Sequence, residues 1–217
     1  LHNHEFIDEI QKINASHDKL VYGTTERIKG MLTVAKSEIA SPFYFNLNSV
    51  SSLLKTPPIP INDLTNALGN LGHQMSLTHA QPNCIKTDAP WDVILLINRS
   101  WLIKCNQQEL ANSELRLVAL KQKLQLQEND EKVQQKVEQI KRKIESLKND
   151  PAMSVNLSPT QVGYKILTRA SETLPDIKVD FKTKTSASNS IRDLRKLKLV
   201  RFQENPTKNW GPKARPQ

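Results

Sequence analysis

The sequence predicts an α+β fold, a winged-helix-like domain in which helices pack on a small antiparallel sheet in two layers. Two observations predict it. Helix caps and breakers in residues 1–90 give the order helix, strand, helix, turn, helix, strand, wing, strand. Heptad-like and strongly basic segments then follow, which indicate an inserted helical hairpin and an extended basic C-terminal strap. The alternative is an α+β domain with a hairpin and no groove-reading role.

Composition limits how much of the chain can be packed. Hydrophobic residues make up 37% and aromatic residues 5% of the 217 positions, below the roughly 45–50% apolar share of globular domains. Part of the chain is therefore expected outside a core. No apolar run reaches the roughly 18 residues of a membrane span. Cys84 and Cys105 lack metal-ligand spacing, so we expect two reduced thiols in an intracellular protein and no metal site.

The first 42 residues predict two helices. The first covers about residues 4–15 and the second about residues 18–39, with Thr24 either inside the second helix or acting as a fresh N-cap. Their apolar positions recur at helical spacing: Phe6, Ile7, Ile10 and Ile13, then Ile28, Met31, Leu32, Ala35 and Ile39. Pro42 ends the second helix.

Residues 43–90 supply the segments of the winged-helix pattern. In order, these are a strand at 43–47, a short helix capped by Asn48 or Ser49, an extended turn at Pro57–Pro60, a helix from Asn62 or Asp63 to Gly72, strands at 73–79 and 84–88 around a turn at 81–83, and a long helix opened by Pro90.

The inserted arm occupies residues 105–150, between a core at 1–104 and a helix plus strap at 151–217. Apolar residues step by four and three along its second half: Val133, Val137, Ile140, Ile144 and Leu147. Asp130 can cap that half. We favour an intramolecular helical hairpin, because each half has only about two to three heptads. A dimeric coiled coil is the alternative.

The last third carries nearly all the net charge of +9. Residues 151–217 hold 13 Lys and Arg against 5 Asp and Glu, whereas residues 1–150 hold 18 against 17. A capping box at 158–161 starts a helix bearing Val162, Ile166, Ala170 and Leu174. Residues 182–190 are predicted to be a flexible strap, 191–197 a short basic helix and 198–202 a strand. This charge asymmetry indicates a polyanionic partner or a basic tail.

Several motifs carry a resemblance to a known family. They are Leu1-His2-Asn3-His4-Glu5-Phe6, Phe43-Tyr44-Phe45, Pro57-Pro58, the segment from Thr78 through His79, Ile85, Lys86, Thr87 and Asp88 to Pro90, and the ending at 201–215. Together they resemble the C-terminal domain of the tRNA (guanine-26-N2)-dimethyltransferases, of the eukaryotic, fungal type. Residues 105–175 carry little of this resemblance. The resemblance implies that the arm is an insertion into the family's domain, because the shorter archaeal relatives end near Trp101.

The resemblance implies a function that this segment shares with the rest of an enzyme. The family methylates the exocyclic amine of guanine 26 in tRNA with S-adenosylmethionine, which binds a catalytic domain expected upstream of residue 1. We therefore expect no cofactor and no catalytic residue in these 217 residues, tRNA and the upstream domain as partners, and a nuclear and mitochondrial location. No nucleotide-binding loop or metalloprotease motif is visible, and Asp88 is predicted to cap the following helix.

Two groups of residues are predicted to contact tRNA. The first lies on the wing and comprises Thr78, His79 and Lys86. Alternatively, His79, Thr87 and Asp88 hold the turn together and fix the domain against its partner. The second is the basic C-terminus, with Arg192, Arg195, Lys196, Lys198, Arg201, Lys208, Trp210, Lys213 and Arg215. Trp210 could stack on a base, or plug an apolar groove on the catalytic domain.

A second reading of the whole chain is a non-catalytic structural and protein-interaction module that braces the catalytic domain. In that reading a protein partner, or a second copy, binds residues 105–148. A winged-helix DNA regulator is disfavoured, because the helix expected in the groove, residues 61–72, has no Lys or Arg.

Overall fold

The computed structural model describes residues 2–19, 21–126, 131–173 and 177–200. Within them the fold is α+β, with eight helices and one three-stranded antiparallel sheet. The helices are α1 (His4–Ser16), α2 (Thr25–Lys36), α3 (Leu47–Leu54), α4 (Ile61–Asn70), α5 (Trp91–Leu126), α6 (Glu131–Asn149), α7 (Val162–Thr173) and α8 (Ser186–Lys196). The strands are β1 (Phe45–Asn46), β2 (Met75–Leu77) and β3 (Cys84–Thr87). None of the described helices combines the length and apolar character that crossing a membrane requires.

The α1–α2 unit begins the chain. Asn3 caps α1, because its Oδ1 accepts a hydrogen bond from the Phe6 amide at 3.1 Å. The predicted start of the second helix near residue 18 is wrong, since the Asp18 carbonyl instead accepts from the amides of Val21 and Tyr22 in a turn. The alternative of a fresh N-cap at Thr24 is confirmed.

The sheet has the order β1-β3-β2, so the hairpin of β2 and β3 places β3 in the centre. Ile85 on β3 lies opposite Phe45 on one side and Leu77 on the other. Asn83, in the turn before β3, adopts φ 57°, a conformation that Asn tolerates better than most residues. Every residue of β2 and β3 is buried, so the two strands lie inside the domain, whereas the turn at residues 80–83 is exposed.

Two short helices connect β1 to β2, and their caps differ from those predicted. Asn46, not Asn48 or Ser49, caps α3, with its Oδ1 accepting from the Asn48 amide at 2.9 Å. Helix α4 begins directly after Pro60 and ends at Asn70. Gly72 follows the helix with a φ of +83°, a conformation that favours glycine. Five consecutive α4 residues, from Leu64 to Leu68, are buried, so α4 is covered on more than one side.

Helices α5 and α6 pack against one another within one chain, as the hairpin interpretation predicts. The buried positions of α6 are Val137, Ile144 and Leu147, three of the five predicted seam residues. Where the arm joins the domain, the Asn106 side chain donates to the carbonyls of Pro151 and Met153 at 2.9 and 3.0 Å. Residues 127–130, with the predicted Asp130 cap, lie outside the described residues.

Helix α7 buries part of the predicted face, at Ala170 and at the half-buried Ile166. Its buried residues are Gly163, Leu167 and Ala170, whereas Val162 is exposed; Leu174 lies outside the described residues. Leu167 joins Leu54 of α3 and Leu102 of α5 in a small apolar cluster. The segment after the arm therefore packs on the domain that precedes it.

The chain then crosses α4. Val179 and Phe181 are buried in the main core, with Lys178, Asp180 and Lys182 exposed between and beside them. The prediction of a flexible strap at 182–190 is wrong for its second half, because α8 begins at Ser186 behind a capping box. Residues 198–200 form no strand, and the rest of the predicted 198–202 strand lies outside the described residues.

Candidate nucleic-acid interface

A buried carboxylate, Glu38, lies just after α2 and binds residues of the β2–β3 hairpin, the segment predicted to be the wing. Its Oε1 accepts hydrogen bonds from the His79 backbone amide and from His79 Nδ1, both at 2.6 Å. Its Oε2 accepts from Lys86 Nζ at 2.7 Å and from His2 Nε2 at 3.1 Å. Because an ionised carboxylate only accepts, both ring nitrogens carry the hydrogen in these contacts.

The Glu38 carboxylate is held ionised although its side chain is 0% exposed. Burial raises its pKa, but the hydrogen bonds from Lys86, His79 and His2 outweigh that effect and lower the pKa to about 2. Lys86 is equally enclosed, with its side chain 6% exposed. The buried lysine and the buried glutamate therefore compensate one another's charge.

The remaining polar residues of the wing motif also bind within the domain. Thr78 is 1% exposed, and its Oγ1 accepts from the Ala80 amide. Thr87 donates to the Gln74 carbonyl at 2.7 Å. Asp88 was predicted to cap α5, but its Oδ1 accepts from the Gln74 amide at 2.8 Å. These contacts fix both ends of the β2–β3 hairpin.

The wing residues predicted to contact tRNA are thus placed differently from one another. Thr78 and Lys86 are buried and engaged, so this conformation offers neither to a phosphate. The His79 side chain remains 36% exposed at the end of β2, and its contact with RNA stays a prediction. The geometry supports the alternative in which the motif holds the turn together.

The imidazoles of His2 and His79 and the Glu38 carboxylate form a ligand set of the kind divalent metals use. Their candidate ligand atoms lie within 4.8 Å of one another. The Lys86 ammonium, however, contacts the same carboxylate and repels a second cation. The residues present therefore fit an ion-pair and hydrogen-bond network better than a metal site.

The two cysteines are not activated nucleophiles. Burial raises the pKa of the Cys84 thiol and of the Cys105 thiol, whereas a reactive cysteine needs a lowered pKa. Both thiols are free in the structure.

The predicted cations of the basic C-terminus lie on and beside α8. Arg192 is half-buried and donates to Asn66 Oδ1 at 3.1 Å, and Arg195 donates to Asn62 Oδ1 at 3.3 Å. Lys196 pairs with Asp193 at 2.8 Å on the helix surface. Lys198 follows α8 in an exposed position with φ 47°.

The two arginines are positioned by neutral side chains, whereas Lys196 is paired with the acidic Asp193. Both arginines bind asparagine amides of α4 and keep their full charge. The segment at residues 177–185, before α8, is called the strap from here on. It adds three exposed lysines: Lys178, Lys182 and Lys184. Arg201, Lys208, Trp210, Lys213 and Arg215 lie outside the described residues, so the predictions made for them are untested.

Most of helix α4 lies beneath this surface, and only its end residues Asn62 and Asn70 are exposed. The Asn66 amide donates to the Phe181 carbonyl at 2.9 Å, and the Asn70 amide donates to the carbonyls of Asp180 and Thr183. Gly69 is needed at the crossing, because a Cβ there would lie 2.2 Å from Thr185 Oγ1. The strap and α8 therefore cover the helix expected in a nucleic-acid groove.

Sequence reasoning missed Glu38 and the α4 asparagines. Glu38 reads as a surface acid near a helix end, and its partners lie about 40 residues away at His79 and Lys86. The one available signal for α4 was its lack of Lys and Arg, which is also what a covered helix requires.

Comparisons with known proteins found one family of similar sequences. The family model of the N2,N2-dimethylguanosine tRNA methyltransferases matches residues 1–99. The chain is 38% identical along its whole length to the mitochondrial tRNA (guanine(26)-N(2))-dimethyltransferase of Saccharomyces cerevisiae and covers 32% of it. It is 32% identical along its whole length to the Schizosaccharomyces pombe enzyme and covers 30% of it; for the human enzyme the identity is 26%, over 99% of the chain and 25% of the enzyme. The chain thus spans about a third of the length of the fungal relatives. No solved structure matches it significantly.

Proposed function

Because the chain belongs to the tRNA (guanine-26-N2)-dimethyltransferase family, we propose that it is the tRNA-binding C-terminal region of such an enzyme. The whole enzyme uses S-adenosylmethionine to methylate the exocyclic amine of guanine 26, in a methyltransferase domain that precedes residue 1. The target base must leave its stack to reach the cofactor, so the remainder of the tRNA has to be held while this happens. The 217 residues supply that grip.

The observation that carries the proposal is the cationic surface of the strap and α8. Its exposed lysines and arginines are Lys178, Lys182, Lys184, Arg195, Lys196 and Lys198. Phosphate contacts dominate the affinity of proteins for nucleic acids, and an A-form groove offers shape and backbone rather than base edges. The asparagines of α4 hold the arginines in place without cancelling their charge.

The arrangement of α2, α3, α4 and the sheet supports a winged-helix assignment. Helix, strand, two helices, strand, turn and strand occur in that order, with the first strand beside the last. The covered α4 argues against the use of its surface as a groove-reading helix. We place RNA contact on α8 and the strap, with His79 on the wing as a further contact.

The test uses the full-length enzyme and a double substitution on α8, Arg195→Ala with Lys196→Ala. The matched control is Lys141→Ala with Arg142→Ala, an adjacent pair of exposed cations on α6 that also lies beside an acid, Glu138. Filter binding to unmodified tRNA should weaken several-fold at low salt for the α8 variant. Removing a cation that neutralises a phosphate should also reduce the slope of log affinity against log salt by about 0.7–0.9.

The control should bind tRNA like the wild type. Equal decreases in affinity for both variants would show a non-specific charge effect, and unchanged binding of the α8 variant would refute the assignment of RNA contact to this surface.

A second candidate function, a protein-interaction module, is favoured by the outer face of the arm. Leu115 and Val118 of α5 are 71% and 55% exposed, one helical turn apart. If the arm recruits a protein or a second copy, Leu115→Ser with Val118→Ser should abolish that association in sedimentation experiments and leave tRNA affinity intact. For location, we propose the mitochondrion, which the name of the S. cerevisiae relative gives for that protein, together with the nucleus.

A further inference from the structure

Polar side chains join helix α1 to α2 at three points. The Asn14 amide donates to the Thr25 carbonyl at 2.9 Å, and the Gln11 amide donates to Thr33 Oγ1 at 3.3 Å. At the other end of the contact, Asp8 pairs with Lys36. Within α1, which the structure describes in full, Ile7 is the one buried residue.

The apolar stripe of the same helix faces outward. Phe6 is 61% exposed and Ile13 is 57% exposed, with the half-buried Ile10 between them. Positions i, i+4 and i+7 lie on one face of a helix, so the three side chains form a continuous stripe. Beyond the end of α1, Val21 and Tyr22 extend the exposed apolar area.

This orientation is the reverse of the usual one for a surface helix, whose apolar stripe faces the core. Single exposed apolar residues are ordinary, but a contiguous apolar patch bordered by polar groups marks an interaction surface. Charged residues border this stripe at Glu5, Glu9 and Lys12, all exposed, as in the polar rim of an interface.

We propose that the Phe6–Ile10–Ile13 stripe is the docking surface for the methyltransferase domain of the same polypeptide, a proposal that rests on the domain arrangement proposed above. The relatives are about three times as long as this chain, so a large part of the full-length protein is available to cover the stripe. The Glu38 carboxylate binds His2, four residues before Phe6. A domain joined to residue 1 therefore starts beside the stripe, and its attachment is fixed to the wing through Glu38.

Because the methyltransferase domain would be joined to the chain close to the stripe, its docking is intramolecular. A short connection gives a high effective concentration, so a small apolar patch suffices for association. A second copy of the chain has no such advantage at this site.

The test is hydroxyl-radical footprinting of the full-length enzyme without tRNA, read by mass spectrometry and normalised for the intrinsic reactivity of each residue type. The reference residues are Val162 and Leu197, which are 62% and 60% exposed, close to the 61% of Phe6 and the 57% of Ile13. Labelling of Phe6 and Ile13 should be several-fold slower than labelling of the reference residues, at every protein concentration.

A substitution pair provides an independent readout. Phe6→Ser with Ile13→Ser should split the single thermal transition of the full-length enzyme into two, whereas Val162→Ser with Leu197→Ser, at residues of similar exposure, should preserve one transition. Equal labelling of the stripe and the reference residues would overturn the proposal. Protection that appears only as concentration rises would overturn it too, in favour of a second copy.

The outcome is separable from that of the tRNA-binding test. Footprinting contains no RNA, so the stripe can be protected even if the α8 variant binds tRNA normally. Conversely, the α8 variant can lose tRNA affinity while Phe6 and Ile13 label freely.

Discussion

The Glu38 network makes the sharpest prediction about stability. Replacing Glu38 with Gln preserves the shape of the side chain but removes its charge and places an amide donor where two donors now converge. Lys86 would remain buried without its counter-ion. Removing one partner of a buried ion pair costs about 3–5 kcal/mol.

The lowered pKa of Glu38 gives a second value for the same loss of folding stability. A fall from the ordinary 4.5 to about 2 corresponds to about 3 kcal/mol, at about 1.4 kcal/mol per pH unit. Folded domains are stable by about 5–15 kcal/mol, so a loss of about 3 kcal/mol is large but leaves a folded population to measure.

The pH dependence follows from the direction of the change. The pKa is lower in the folded protein, so the unfolded chain binds the proton more tightly between pH 4.5 and about 2. The stabilisation is complete above about pH 5 and is lost as pH falls through that window. Glu38→Gln lacks this contribution, so the stability difference between wild type and variant should shrink from pH 6 to pH 3.

The assay is urea unfolding of the 217-residue chain, followed by far-UV circular dichroism. Glu26→Gln is the control: Glu26 pairs with Lys19 at 2.6 Å, but both side chains are more than half exposed, so its replacement should destabilise the protein far less than that of Glu38. Adding Lys86→Met to Glu38→Gln removes the orphaned charge and should recover part of the loss. A loss under about 1 kcal/mol for Glu38→Gln, or no recovery in the double variant, would refute the reasoning.

Two further substitutions test the packing of the segment that follows the arm. In Gly163→Ala the new Cβ would lie 2.1 Å from the Leu53 carbonyl oxygen of α3, so urea unfolding should show a loss of about 1–3 kcal/mol. Gly23→Ala meets nothing within 4 Å and should be neutral or slightly stabilising; equal effects would contradict the close approach of α7 to α3. Asn106→Ala removes the donor shared by the carbonyls of Pro151 and Met153 and should cost about 1–3 kcal/mol. An unchanged urea midpoint would show that this junction does not hold the arm to the domain.

Local signals in the sequence predicted most element positions. The span of α1 and the end of α4 before Gly72 depend on neighbouring residues and were predicted closely, whereas the start of α4 was placed at Asn62 or Asp63 instead of Ile61. The arm seam was accessible for the same reason, since its period is a property of α6 alone. Helix α8 is the exception: Ser186 to Ser190 have no apolar period, and the Thr185–Ser188 capping box departs from the usual Ser/Thr with Glu/Gln pattern.

Side-chain roles were harder to predict because they depend on distant partners. Lys86 follows a turn, and lysine is rarely buried without a counter-ion, so exposure was the reasonable expectation. The counter-ion, Glu38, belongs to a segment whose position relative to the wing is set only by the complete fold. The pairing of Arg192 with Asn66, 126 residues apart, is equally invisible to local reasoning.

The covering of α4 also determines where a polyanion can bind. A groove-reading helix needs an exposed face with donors directed outward, whereas Asn66 and Asn70 direct their amides to the carbonyls of the strap. Nucleic acid could reach α4 only if those hydrogen bonds broke and Phe181 left the core. The strap adds a layer whose inner side carries Val179 and Phe181 and whose outer side carries Lys178 and Lys182. The apolar contacts that bury α4 therefore also hold the cations at the surface, so loosening the strap should weaken tRNA binding even when every lysine is retained.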